Sequence, residues 1–349
     1  MNRVSFAFVV TAALALSAPA LAQNTEQEKN KDAGLGLAFG LNFGQPLASQ
    51  DKNALITQAN AARNTKNWDE AEKLYTQLIA LEPKTASFFA NRAYVRQMKK
   101  DLSGTITDNS RAETLYLLSE EPVHNQVVAL VNRAIAYNAL GDPLRAMIEA
   151  LAACQLEDGF ARAWSVRADA WYKLGNYTEA QFFLGEAQKR DASITRAYTK
   201  EDAAKNALGR TPVEWKADTS ADFAAGKKAV DEKRYADGIV AYSLVIGKKP
   251  TADGAWINRG IAYESLRQDD KALADYSTAI SLYHAFLTNT STRAMALLNR
   301  ANLLRLSLTR DSLNAALADT ELALKLKPDS ERGKTMLGVI QANLATLPK

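Results

Sequence analysis

The sequence predicts an all-α protein, a solenoid of helix–turn–helix repeats in two duplicated halves. The first observation behind this is a phrase written four times, Asn-Arg plus a small residue: Asn91-Arg92-Ala93, Asn132-Arg133-Ala134, Asn258-Arg259-Gly260 and Asn299-Arg300-Ala301. The second is its spacing. Positions 91 and 132 are 41 apart, as are 258 and 299, and each member of the first pair lies 167 before its counterpart. At that shift Ala129-Leu130-Val131-Asn132-Arg133-Ala134 falls on Ala296-Leu297-Leu298-Asn299-Arg300-Ala301, and Asp108, Ser110, Ala112, Leu115 and Tyr116 fall on Asp275, Ser277, Ala279, Leu282 and Tyr283. Tyr75, Ile79 and Pro83 likewise meet Tyr242, Ile246 and Pro250. Self-similarity at a fixed period is the signature of stacked supersecondary units. Here short repeats sit inside one long duplication.

The elements follow in order. Residues 1–22 read as a signal peptide, with Arg3, an apolar run from Val4 to Leu16, and Ala20-Leu21-Ala22 before Gln23. The run is shorter than the ~20 residues of a spanning helix. The expectation is therefore export and cleavage, with a periplasmic or secreted product and no membrane insertion afterwards. An uncleaved anchor, giving a membrane-anchored adaptor, is the alternative. Residues 23–50 are a Gly-rich tail, from Ala33 to Gly44 too dense in glycine to hold a helix cheaply. They read as a flexible tether, or as a short apolar docking motif.

From Asp51 the period is helical. Helices are expected over about Lys52–Arg63 and Trp68–Leu81, and over Thr219–Glu232 and on to Ile246, with pairs starting near Ala86, Val127 and Ala161, and near Asp253 and Ala294. Pro83, Pro250 and Pro328 follow second helices, where proline stops the hydrogen-bond ladder. A lone helix over about Ile194–Leu208 reads as a cap, Gly209-Arg210-Thr211-Pro212 as a hinge, and Glu331–Ala345 as a C-terminal capping helix. This gives a lobe at 51–208 of about four repeats plus cap, a linker at 209–218, and a lobe at 219–349 of about three repeats plus cap.

The small and large residues of each unit resemble the tetratricopeptide repeat family, whose unit is a 34-residue helix–turn–helix. Trp256, Gly260, Tyr263, Ala272, Tyr276 and Ala279 occupy the family's positions in one unit, Trp164, Ala168, Trp171, Ala180 and Ala187 in another, and Ala59, Ala71, Tyr75 and Pro83 in the first. Small residues there let paired helices approach closely while large ones fill the gap beside them. Both 41-residue spacings exceed the unit by seven, through stretches at Leu115–Val123 and Leu282–Asn289, and about three extra residues sit around Ser307–Asp311. Arginine replaces the family's Leu before the small residue at Arg92, Arg133, Arg167, Arg259 and Arg300. That position packs between helices, so buried stems with tips paired to carboxylates or carbonyls are expected.

The resemblance implies a concave groove lined by first helices, into which the repeated Asn points. It would carry Asn91, Asn132, Asn258 and Asn299, with Tyr94, Tyr172, Arg63 and Arg305 on nearby turns. An amide both donates and accepts, which suits an extended peptide backbone; the competing role is bonding within the stack. The implied function is a non-catalytic scaffold for a protein or peptide partner.

Little else carries chemistry. The single Cys154 excludes disulfides and a cysteine metal cluster, and should be a packed, inert thiol. His124 and His284 lack metal-spaced partners and read as cap or surface residues. Asp108 and Asp275 read as surface helix residues. An enzyme, for example a cell-wall hydrolase of the cell envelope, would need an acidic pair in the groove. No phosphate loop, dinucleotide fingerprint or nucleophile elbow is present, so no cofactor or metal is expected. With 43 basic and 39 acidic residues, interspersed and 42 against 39 after loss of Arg3, no nucleic-acid footprint stands out.

Overall fold

The protein is described from a computed structural model, in which residues 52–201, 204, 218–286 and 289–347 are defined well enough to describe. The expected signal (1–22), tail (23–50) and Gly-Pro hinge lie outside them. Among the described residues there is no strand. The described residues form seven successive helix pairs: α1 (Lys52–Asn64) and α2 (Trp68–Leu81), α3 (Ala86–Met98) and α4 (Leu102–Ser119), α5 (Val123–Ala139) and α6 (Pro143–Leu156), α7 (Ala161–Lys173) and α8 (Tyr177–Arg190), then α9 (Ser220–Asp231) and α10 (Tyr235–Lys248), α11 (Asp253–Ser265) and α12 (Asp269–Phe286), α13 (Thr290–Leu304) and α14 (Arg310–Leu326). A last helix, α15 (Glu331–Thr346), packs on α14.

Each pair is built by the same local chemistry. The turn between its two helices holds one left-handed residue: Lys66, Lys100, Gly141, Gly175, Lys233, Arg267 and Leu308. Only two of the seven are glycine, so the other five turns bear a strain of roughly 1–2 kcal/mol each, held in place by packing. Side chains of Asp101, Asp142, Asn176 and Thr309 then accept from the backbone three residues on and start the second helix. The helices meet at the small positions. A Cβ added to Gly260 would lie 2.6 Å from the Tyr276 ring, whose hydroxyl is anchored on Glu264 at 2.7 Å.

The extra stretches have a structural use. They lengthen α4 and α12 to 18 residues each, against 14 for α2, α6, α8 and α10. These long helices carry the contact between the halves, with α12 against α6 and α14 against α4. One apolar cluster runs through that contact, from Val127 and Met147 in the first half to Leu282 and Leu297 in the second. The halves thus share a core. The expected helix from Ile194 differs: Ile194–Thr199 is not helical, and helix resumes at Lys200. The segment still covers the end of the first half. Arg196 bonds to Asp169 and Ser165, and Tyr198 stacks on Tyr172 with ring centroids 4.3 Å apart. These contacts hold the segment against α7.

The arginine row closes five of the seven pairs. Arg92 donates twice to Asp108 (2.9 and 2.8 Å), Arg133 to Glu149 (2.5 Å), Arg259 twice to Asp275 (2.8 and 2.9 Å) and Arg300 twice to Asp319 (2.8 Å each). The partner stands 16 residues after the arginine, or 19 where the three-residue insertion intervenes. In the fourth unit position 183 is aromatic, and Arg167 sits 3.7 Å from the Phe183 ring centroid. The expected pairing to carboxylates is observed at four of the five arginines and fails at Arg167. The surface role expected for Asp108 and Asp275 is wrong, because both are buried as the counter-ions of that row.

Breaking such a pair strands a desolvated charge at a cost of about 3–5 kcal/mol. Arg133→Met is therefore expected to lose about that much stability in urea unfolding, because Glu113 and Glu149 both lose their cation. Lys52→Met, which breaks the exposed pair with Glu82, should cost under about 1 kcal/mol. Equal effects from the two would refute the burial argument.

Candidate functional site

The eight candidate groove residues do not form one continuous site. At the N-terminal end three come together. Arg63 at the end of α1 donates to the Asn91 side-chain oxygen on α3, and one turn further along α3 Tyr94 stands 42% exposed, edge-on to Trp68 at 6.2 Å. Charge, amide and aromatic ring thus share one accessible face. Asn258 is half-buried on α11. Asn132 and Asn299 are only 8% and 7% exposed. Asn299 accepts from Arg332 of α15 at 2.8 Å, tying the last helix to its neighbour. Arg305 lies in the short 3₁₀ turn after α13 and donates to Asn302. Tyr172 is half-buried under Tyr198.

Other candidates settle simply. Cys154 is buried, and that burial pushes its thiol up to about 12, with Arg167 opposing. The His124 ring nitrogen lies 2.8 Å from Glu157, and its ring meets Phe160 edge-on; His284 lies in α12. Among the described residues no cluster of His, Cys, Asp and Glu could hold a metal, and no helix is long and apolar enough to cross a membrane.

Sequence reasoning missed the polar seam between the halves. Arg133 of α5 donates across to Ser281 of α12 (2.7 Å), and Arg300 of α13 donates back to Thr114 of α4 (3.0 Å). Position 114 becomes 281 under the 167 shift, so the two bonds are one contact made twice. Ser281 donates to Glu149 (3.1 Å) and Thr114 to Asp319 (3.2 Å), and within the halves Arg133 reaches Ser110 and Arg300 reaches Ser277. Such reciprocity is that of an isologous, two-fold interface. Burial raises the Glu149 carboxyl to about 7 although Arg133 opposes it. Burial also disfavours the Arg133 charge, but the two glutamates outweigh it and hold its pKa above the usual value. The signal was available: an acidic residue recurs 16 positions after each Arg of three of the four Asn-Arg phrases.

Tying up an amide and exposing one have different consequences. Asn299→Ala is expected to cost about 1–3 kcal/mol in thermal unfolding, since the partly buried Arg332 loses its acceptor. Asn91→Ala, on a more open face, should stay within about 0.5 kcal/mol of the parent. The reverse order would show that Asn91, not Asn299, belongs to the stack.

The tetratricopeptide repeat family model matches residues 253–284. Among solved structures, the chain is similar to a tetratricopeptide repeat protein from Parabacteroides merdae at 14% identity, with 83% of this chain and 98% of that one covered and a TM-score of 0.35. It is similar at 16% identity to the C-terminal part of a repeat protein from Cytophaga hutchinsonii, over 80% and 98% of the two chains with a TM-score of 0.31. The TPR2AB domain of yeast Sti1, solved in complex with pHSP90, is 15% identical over 84% and 97%, with a TM-score of 0.30. The family match covers residues 253–284, which lie within an α-solenoid of helix pairs.

Proposed function

We propose that the chain is an exported, non-catalytic scaffold that holds an extended peptide segment of a protein partner, with the first helices of its N-terminal end as the contact face. The observation that supports this most directly is the face formed by Arg63, Asn91 and Tyr94. It offers a guanidinium and an amide for backbone groups beside an exposed aromatic ring that is already packed on one edge. A side chain held by a neighbour loses little freedom on binding. The repeat fold is typical of protein–protein interaction scaffolds.

The two acidic candidates for a hydrolase, Asp108 and Asp275, are committed elsewhere. Both are buried and each accepts from an arginine. A carboxylate closed off from solvent and engaged with a guanidinium cannot reach a substrate bond.

A displayed peptide library selected on the purified chain tests the contact face. The selected peptides are expected to lose at least about tenfold in affinity with Tyr94→Ala and Asn91→Ala, about 1.4 kcal/mol. Binding that both variants leave intact would move the site elsewhere. N-terminal sequencing of the protein isolated from its native cell tests export: the expected first residue is Gln23, and a chain that retains Arg3 in the membrane fraction would make it an anchored adaptor instead.

A further inference from the structure

A pocket of about 680 Å³ opens between the two halves, lined from the first by α4, α5 and α6 and from the second by α12, α13 and α14. Its walls are paired by the duplication. Ile106 answers Leu273, Thr107 answers Ala274, and Tyr137 answers Leu304. The pocket therefore sits on the pseudo-two-fold axis, apart from the face that carries Asn91 and Tyr94. Its volume is that of a small-molecule site.

The symmetry fails at one place, and the failure leaves a cation inside. On one side of the axis Arg145 of α6 reaches across to Asp275 and Thr278 of α12 and also holds Asp142, so its charge meets two carboxylates. On the other side the arginine comes from the opposite helix. Arg111 of α4 stands at the position of Thr278 and bonds to the main-chain oxygen of Ala315, which stands at the position of Arg145. The carboxylates do not follow it. Asp108, the counterpart of Asp275, is held by Arg92 and Arg96, and the counterpart of Asp142 is Ser312. Arg111 bonds to two main-chain oxygens, those of Ala315 (3.0 Å) and Pro83 (3.4 Å), and lies over the Phe89 ring, while Asp319 of the same pocket attracts it without an ion pair.

Two polar atoms on the lining residues are also buried without a partner among the described residues, the Arg111 Nε and the Tyr137 hydroxyl. Native proteins leave few such groups, and each calls for an explanation. Both belong to side chains that line the pocket, beside the apolar surface of Ile106, Leu140, Leu273 and Leu304. Lys271 and Asp270 bring exposed charges of both signs to the rim.

We propose that this pocket binds a small carboxylate with an apolar body, its carboxylate taken by Arg111 and its body laid between Ile106, Leu273 and Leu304. A guanidinium pairs with a carboxylate through two parallel hydrogen bonds, and Arg111 makes no ion pair of its own among the described residues. Burial already pulls the Arg111 pKa down to about 10, so an incoming anion relieves a charge held at a cost. The chemistry is shared by medium-chain fatty acids and by aryl-alkyl acids.

Calorimetric titration of the full chain at pH 7 with decanoate, 4-phenylbutyrate and decanol decides the matter. At least one of the acids is expected to bind, and decanol at least tenfold more weakly than decanoate if the alkyl acid is the ligand. A preference for 4-phenylbutyrate assigns the aryl source. Thr107→Trp, at an exposed position on the lining, should fill the space and abolish binding while the thermal midpoint stays near the parent's. Arg111→Met should weaken acid binding at least tenfold; if it does not fold, the decanol comparison and Thr107→Trp still decide. No binding by either acid, equal affinity for decanoate and decanol without binding of the aryl acid, or acid binding that Thr107→Trp leaves intact would overturn the proposal.

Discussion

A guanidinium taken out of water is costly unless carboxylates go with it, and this constraint shapes the repeat unit here. Where the resembled family packs a leucine, this chain puts an arginine between its helices, at positions 92, 133, 167, 259 and 300. Desolvation then forces a partner onto the facing helix, and the unit length fixes where that partner must stand. Four units meet the demand with an acid and the fifth with the face of Phe183. An apolar contact tolerates sliding along a helix. A buried bidentate pair does not, so the row sets the register of the helix pairs that carry it with an acid.

The same arginines then tie the halves together. Arg133 and Arg300 donate both within a repeat and across the seam, to Ser281 and Thr114. Repeat geometry and half-to-half geometry are therefore coupled through single side chains, and a shift in one disturbs the other. Glu149 lies at this crossing, fully enclosed, with burial holding its carboxyl near neutrality. Such a group keeps its proton in the folded chain at pH values where the unfolded chain has lost it. Its contribution to stability is thus greatest below its unfolded pKa and falls as the pH rises toward about 7.

Helix limits were legible in the sequence because proline, small residues and aromatic residues recur at fixed offsets. The expected pairs agree with the observed ones to within a few residues, apart from later expected starts at Val127 and Ala294. The packing of one half on the other was not legible. Leu115–Val123 and Leu282–Asn289 stood out as additions to the unit, but an insertion does not disclose whether it loops out or lengthens a helix, as α4 and α12 do. Asp108 and Asp275 were misread because an acid on a helix is usually solvated; only pairing each with the arginine 16 residues earlier reveals the burial. The candidate face was legible in part. Repetition identified the Asn positions, but their neighbours differ, and Arg63 leaves Asn91 on an accessible face while Arg332 binds Asn299 into the stack.

The exchanged arginines at the axis also govern which surfaces can recognise each other. If two first halves were to meet through this interface, Arg111 of one would face Arg145 of the other, and the contact would repeat on the far side of the axis. Two second halves would bring Thr278 against Ala315 and have no cation for Asp275 to accept from across the seam. Only the unlike combination places one arginine on each side, opposite a hydroxyl or a carbonyl. The duplicated segments have thus diverged into two complementary surfaces: the first meets its own kind with like charges, and the second meets its own kind without a cation. Such discrimination by like-charge juxtaposition lets a chain with an internal duplication choose its other half over a copy of the same half on a neighbouring molecule.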